Sequence, residues 1–267
     1  MKVLITGGSS GIGKHLTGAY LSRGDQVVIL AEDADRLETA RKELSLISPA
    51  VTAVACDVAD AATVAWAVDV VLAGSGCPDV IVNNAGFAVY RAFEQSSFAE
   101  IDRLIRVNLL GTLNVIRGFL PAMIERRSGH IVNVASIAGL MPVTPCAVYS
   151  AAKHGVVGIS ETLRCELRDF NIQVHVVCPG RVETAFFDHE TFRRRPRRPE
   201  TEKTVPIEKV SAAIIDAVEK GRFFTVIPRT LGWVVWLRNL CPPLVDFWLS
   251  KLLAVRAREA RTLAVKE

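Results

Sequence analysis

Seven short runs along the chain are apolar almost without interruption: residues 3–6, 26–30, 52–56, 80–83, 130–135, 173–178 and 224–227. A half-buried strand alternates apolar and polar positions, whereas a parallel strand covered on both faces reads as a continuous apolar run. Between these runs lie longer helical stretches such as 34–47, 61–72 and 149–169. Strand–helix alternation of this kind predicts an α/β fold: a doubly wound, seven-stranded parallel sheet with right-handed crossovers and helices on both faces.

Two stretches depart from the pattern. Residues 184–206 are polar and charged and contain Pro196, Pro199 and Pro206, which reads as a loop over the carboxyl edge of the sheet. Residues 230–255 hold three of the four tryptophans (Trp233, Trp236, Trp248), with only Arg238, Asp246 and Lys251 as charges. A bilayer-spanning helix needs about 20 apolar residues in a row. Here the charges and Cys241-Pro242-Pro243 divide the segment into two shorter pieces. The expected organisation is one domain over 1–229, carrying the 184–206 loop, and an apolar helical extension over 230–267.

Composition narrows the classes. With 267 residues, 50% of them apolar, and a mean hydropathy of +0.28, the chain is neither disordered nor fibrous. Net charge is +4 from 32 basic and 28 acidic residues, too balanced for nucleic acid as a partner. The basic excess is local, at Arg193, Arg194, Arg195, Arg197 and Arg198. That cluster suits a solvated loop, or a contact for anionic headgroups or an acidic substrate. Six cysteines make no C-x-x-C pair and five histidines are scattered, so no metal site is expected. A strand beginning one residue after Met1 leaves no room for a signal peptide. A cytoplasmic protein is expected, with peripheral membrane contact through 230–255 left open.

The first strand runs into Thr6-Gly7-Gly8-Ser9-Ser10-Gly11-Ile12-Gly13. A strand that turns tightly into a helix presents free N–H groups and a helix dipole, which favour a pyrophosphate. Ser9 and Ser10 lack an accompanying base and read as loop-bonding residues rather than nucleophiles. Tyr149 and Lys153 are four apart and share a helix face. Bringing a phenol from ~10 to ~7 takes roughly 4 kcal/mol. One ammonium about 4 Å away, at an effective dielectric of ~20, supplies about that amount. Tyr149 is therefore read as a general acid/base tuned by Lys153. Ser136, at a strand end, is read as a donor to a substrate oxygen as charge develops. Taken singly, each has a plainer reading: Ser136 as a cap, Asn83-Asn84 as turn chemistry, Asp57 as the cap of the next helix, and His154, roughly 100° round from Lys153, as a structural residue.

The T-G-x-x-x-G-x-G turn, Asn83-Asn84-Ala85-Gly86, Ser136 and Tyr149-Ser150-Ala151-Ala152-Lys153, in this order, resemble the short-chain dehydrogenase/reductase family over residues 2 to about 184. The resemblance implies a Rossmann-type oxidoreductase that uses NAD(P) and a tetrad of Asn108, Ser136, Tyr149 and Lys153. It places the cofactor against Thr6, Gly7, Ser9, Ser10, Gly11, Ile12, Gly13, Asp57, Val58, Asn83, Ala85, Gly86, Tyr149 and Lys153. After the sixth strand it adds Pro179, Gly180, Val182 and Thr184. Asp57 would meet the adenine ring and Thr184 the nicotinamide amide. A homodimer or homotetramer joined through the helices holding Asn108 and Tyr149 is likewise implied.

A carboxylate about 20 residues past the glycine turn suits a ribose 2′-hydroxyl, whereas Arg or Lys suits a 2′-phosphate. The second strand ends Ala31-Glu32-Asp33-Ala34-Asp35-Arg36, and Ser10 is not basic. Glu32 favours NAD over NADP, with Lys14 and Arg36 remaining as phosphate partners. Phe186, Phe187, Phe192 and the Trp-rich segment suggest a pocket for a lipophilic substrate: a long-chain keto lipid, a sphingoid base or a steroid. Three roles stay open for the extension: packing on its own domain or a partner subunit, resting on a membrane, or acting as a lid. A non-catalytic dinucleotide sensor on the same fold is the competing reading.

Overall fold

The computed structural model describes residues 1–182, 184, 186, 190–193 and 204–264. The chain runs β1 (Lys2–Thr6), α1 (Gly11–Leu21), β2 (Gln26–Ala31), α2 (Ala34–Ser45), β3 (Val51–Ala55), α3 (Ala61–Gly74) and β4 (Val80–Asn83). There follow α4 (Phe98–Ile105), α5 (Gly111–Arg126), β5 (Gly129–Val134), α6 (Ala147–Glu166) and β6 (Ile172–Pro179). After a short α7 (Glu190–Arg193) come α8 (Ile207–Glu219), β7 (Phe224–Ile227), α9 (Arg229–Leu240) and α10 (Pro242–Ala264).

All seven strands are parallel, in the order β3-β2-β1-β4-β5-β6-β7. Successive residues of one strand enter opposite cores, which is why the runs are apolar throughout. Val3, Ile5, Val80 and Val82 pack with Leu16, Tyr20, Ile214 and Val218 on the α1/α8 side. Leu4 and Ile81 pack with Val64, Val68, Phe119 and Met123 on the α3/α5 side. Strand order reverses between β1 and β4, and that switch point opens a crevice at the carboxyl ends of the strands.

Three helix starts, those of α2, α3 and α4, are capped by short polar side chains. Asp33 accepts from Arg36 N at the head of α2, and Asp60 from Ala62 N at the head of α3. Asp60 thus takes the capping role that was open to Asp57. Ser97 and Glu100 cap α4 reciprocally. A π-helical turn, Arg106–Leu110, joins α4 to α5 and carries Asn108. The stretch Phe98–Arg126 is long and apolar enough to cross a membrane. Its Val115, Ile116, Phe119 and Met123 are nevertheless packed in the sheet core.

The last two helices fold back on the domain. Arg238 on α9 pairs with Asp246 on α10 at 2.8 Å. Thr144 donates to Leu253 O at 2.9 Å, and Arg261 pairs with Glu94. Their outer faces carry Trp233, Trp236, Phe247 and Trp248, all exposed.

Candidate active site

The crevice begins where β1 stops. Gly7 has φ +67°, and a Cβ on Gly13 would lie 2.3 Å from the Gly7 carbonyl oxygen and 2.7 Å from Asn84 Nδ2. Only glycine lets strand and helix approach so closely. The turn delivers the N-terminus of α1 with no acidic residue in its first turn and no side-chain cap from Ser10. The Ser10 hydroxyl thus makes no capping bond within the loop, and the helix's leading N–H groups stay available to an anion. This bare terminus in its glycine turn fits the pyrophosphate of a dinucleotide.

Neighbouring loops are tied to the turn by hydrogen bonds. Thr6 Oγ1 accepts from Asn84 N and Ala85 N, both at 2.9 Å, and Asn84 Nδ2 donates to Thr6 O at 2.9 Å. The Asn83 amide points into the sheet instead. It donates to Asn133 Oδ1 at 2.8 Å, and Asn133 donates to Ser160 Oγ at 2.9 Å. The side chains of Thr6 and Asn83 therefore brace the strand ends. From the far side of the sequence, Gly180 N donates to Ile227 O at 2.6 Å, and Val182 bridges to Val205. Thr184 arrives with its Cβ 3.4 Å from a Cβ built on Gly11. Residues from the two ends of the motif set thus meet over the α1 N-terminus, with Ile12 packed beneath against the core.

At the ends of β2 and β3, Glu32 and Asp57 share one partner that carries no motif. Arg103 on α4 donates to Asp57 Oδ2 and to Glu32 Oε2, each at 2.7 Å. Asp57 Oδ1 also accepts from Ala59 N. Nothing in a lone arginine on a helix announces this role; the only signal was two unpaired carboxylates at adjacent strand ends. Of the two basic residues expected as phosphate partners, Lys14 pairs with Glu43, whereas Arg36 lies exposed in the first turn of α2 with its backbone N–H bonded to Asp33. Val58 is buried and its carbonyl accepts from Asn114, a second residue without a motif.

One helix turn separates Tyr149 from Lys153 on α6. Ser136 accepts from Ala138 N at 3.1 Å, capping a short helical turn, and its hydroxyl is near enough to the Tyr149 phenol to favour the phenolate. Lys153 is buried and donates to Val134 O at 2.9 Å, its Nζ 5.8 Å from the Tyr149 ring centre. Asn108 donates to Phe87 O and Leu104 O, while its buried Oδ1 has no hydrogen-bond partner among the described residues. A Cβ on Gly86 would sit 2.5 Å from that Oδ1 and 3.5 Å from Lys153 Nζ. The four tetrad residues therefore converge on one spot. His154 is bonded to Ser150 O at 2.8 Å within its own helix.

The electrostatics correct one expectation. Burial pushes the Tyr149 phenol above its ordinary value, and the Ser136 hydroxyl offsets only part of the rise. Burial also brings the Lys153 ammonium down to about 8. In the protein alone, Lys153 does not bring the phenol towards neutrality, because the same low-dielectric surroundings penalise both charged forms.

An aromatic wall adjoins the phenol. Phe186 meets the Tyr149 ring edge-on at 5.7 Å, Phe192 lies 6.4 Å from Phe186, and Tyr90 lies 5.5 Å from Phe192. Below it is a recess lined by Val89, Leu104, Cys146 and Val148 with Arg91 and Glu100. The tryptophans of α9 and α10, expected to help close this pocket, face solvent instead. Phe187, His189 and the arginines at 194, 195, 197 and 198 lie outside the described residues.

A dinucleotide crevice that ends beside a Ser–Tyr–Lys group defines a class: nicotinamide-dependent oxidoreductases acting on a CH–OH or keto group. The chain matches the short chain dehydrogenase family over residues 1–194 and belongs to it. It is 29% identical to dehydrogenase/reductase SDR family member 7B of Mus musculus, over 97% of this chain and 82% of that protein. It is 32% identical to 3-dehydrosphinganine reductase TSC10B of Arabidopsis thaliana, over 93% and 76% of the two chains. The crystal structure of a short chain dehydrogenase/reductase from Burkholderia phymatum in complex with NAD superposes with a TM-score of 0.81 at 28% identity, covering 93% of this chain and 94% of that one. Other similar structures contain NADP or NADPH. The chain is an NAD(P)-dependent dehydrogenase/reductase.

Proposed function

We propose that this enzyme interconverts a ketone and a secondary alcohol on a lipophilic, lipid-like substrate, with NAD(H) preferred over NADP(H). The observation that carries the substrate class is the aromatic wall of Tyr90, Phe186 and Phe192 beside the Tyr149 phenol. Such a wall gains by burying an apolar chain and offers little to a small polar ketone. The resemblance to a 3-dehydrosphinganine reductase supports the same class.

Thr6-to-Gly13 and the α1 N-terminus would hold the pyrophosphate, and Thr184 would close over it. The nicotinamide, when bound, supplies or removes hydride at the substrate carbon. Ser136 Oγ, beside the Tyr149 phenol, holds the substrate oxygen next to Tyr149 Oη. In reduction Tyr149 gives its proton to that oxygen; in oxidation it takes one. Burial disfavours the phenolate, so the phenol is the resting form. Lys153, fixed on Val134 O, places a positive charge near the phenolate that forms as the proton leaves. Glu32 repels a 2′-phosphate, and Lys14 is engaged by Glu43, which together favour NAD.

The extension fits a role at a lipid surface. Between residues 229 and 264 stand six basic side chains (Arg229, Arg238, Lys251, Arg256, Arg258, Arg261) against two acidic ones, Asp246 and Glu259. Trp233 is 70% exposed and Trp248 66%, and Lys251 Nζ lies 4.3 Å from the centre of the Phe247 ring. Exposed indoles beside basic residues suit the headgroup layer of an anionic bilayer. Two copies of so basic a face would repel each other.

Fluorescence titration with NADH and NADPH, followed by turnover of long-chain and short polar ketones, tests the reading. Tighter NADH binding and preference for the long-chain ketone are expected. Tighter NADPH binding, or faster turnover of small polar ketones, contradicts it. Co-sedimentation with phosphatidylserine-containing vesicles, and not with phosphatidylcholine alone, is expected of the extension; a protein left wholly in the supernatant contradicts that part.

A further inference from the structure

The far end of the cofactor crevice holds an ion triad built by a residue outside every motif. The capping box of Ser97 and Glu100 fixes α4 at its start, and Leu104 packs it against Val89 and Val148. From this anchored helix Arg103 reaches across the carboxyl ends of β2 and β3, 2.7 Å from Asp57 and 2.7 Å from Glu32. The three side chains, Arg103, Asp57 and Glu32, are 36%, 26% and 64% exposed, so the triad is open to the crevice rather than sealed in the core. It sums to one negative charge. In this architecture the end of β2 is where the adenosine ribose is read.

We propose that Arg103 is the residue that determines cofactor specificity: a latent partner for a 2′-phosphate, masked by Glu32. The inference rests on the NAD-preferring reading given above. A 2′-phosphate brings nearly two further negative charges to a site where two carboxylates already outnumber one guanidinium. A 2′-hydroxyl brings none, and it can donate to Glu32, whose carboxylate Arg103 holds in place through Oε2. Removing the Glu32 charge alone changes the balance. The guanidinium then has free N–H donors in a planar fork that matches a phosphate. Preference is therefore set by the triad across three elements, and not by the acidic residue on its own.

Calorimetric titration of the full chain with 5′-AMP and with adenosine 2′,5′-bisphosphate isolates this end of the site, since the two differ only in the 2′-phosphate. The wild-type chain is expected to bind 5′-AMP more tightly. In Glu32→Gln the affinity ratio should move towards the bisphosphate by at least about tenfold, the size of a charge-assisted hydrogen bond. In Glu32→Gln/Arg103→Met that gain should vanish, while retained 5′-AMP binding reports an intact site. An unchanged ratio in Glu32→Gln, or a gain that persists without Arg103, overturns the proposal while leaving the dinucleotide crevice standing. Failure of the wild-type chain to bind either nucleotide overturns both.

Discussion

The two halves of the proposed site, one for cofactor and one for substrate, are built by different means. The cofactor half is a backbone construction: Gly7, Gly13 and the uncapped α1 terminus create it, and hydrogen bonds from Thr6 and Asn84 lock it to the sheet. The substrate half is a side-chain construction, in which Tyr90 from the segment after β4 and Phe186 and Phe192 from the segment after β6 form a wall beside Tyr149. The first depends on where a polypeptide can turn, and the second only on what aromatic surface is brought near. Damage to the first should cost binding and folding together, whereas damage to the second should change what is turned over.

The sharpest way to separate the halves is Tyr149→Phe. Turnover should fall by about 100- to 10,000-fold while the NADH dissociation constant moves by no more than about twofold, read by steady-state kinetics and fluorescence titration. A comparable loss in binding would merge the two halves. Gly13→Ala attacks the cofactor half alone. Its methyl would meet the Gly7 carbonyl at 2.3 Å, so we expect a loss of about 1–3 kcal/mol in thermal unfolding together with loss of NADH binding.

A milder probe is pH. Lys153 sits with its value brought down to about 8, so its charge is present below that and lost as pH rises through it. Without that charge the phenolate on Tyr149 is harder to form, and ketone reduction should decline above pH 8, approaching about tenfold per unit. Stability moves the other way for this group: between about 8 and its ordinary value the unfolded chain binds more protons, so unfolding becomes harder as pH rises. Divergent activity and stability profiles over that range are the signature. The smallest effect on stability is expected from Trp233→Ser and Trp248→Ser, within about 0.5 kcal/mol because both side chains are exposed. Those variants should lose sedimentation with phosphatidylserine vesicles.

The same contrast explains what could be read from the chain. Each strand lies within a residue or so of its apolar run, because burial on both faces leaves a local signature in strands such as β1 and β4. The glycine turn, Ser136 and the Tyr149–Lys153 pair could be singled out in the same way, since each is a short-range pattern. Arg103 was not, because its role depends on an approach to Glu32 and Asp57 across two strand ends, 71 and 46 residues away in sequence. The electrostatics of Tyr149 also escaped: spacing gives the distance between two charges but not the desolvation both undergo. Nor could spacing tell that the α9 and α10 tryptophans face outward rather than over the pocket.

The proposed site recognises an apolar chain bound beside Tyr149. A homologous series of straight-chain ketones, assayed with NADH at constant pH, measures this directly. We expect kcat/KM to rise by roughly three- to fourfold for each added methylene until the wall is filled, following about 0.8 kcal/mol per buried CH₂. A kcat/KM that stays flat or falls with chain length would contradict it.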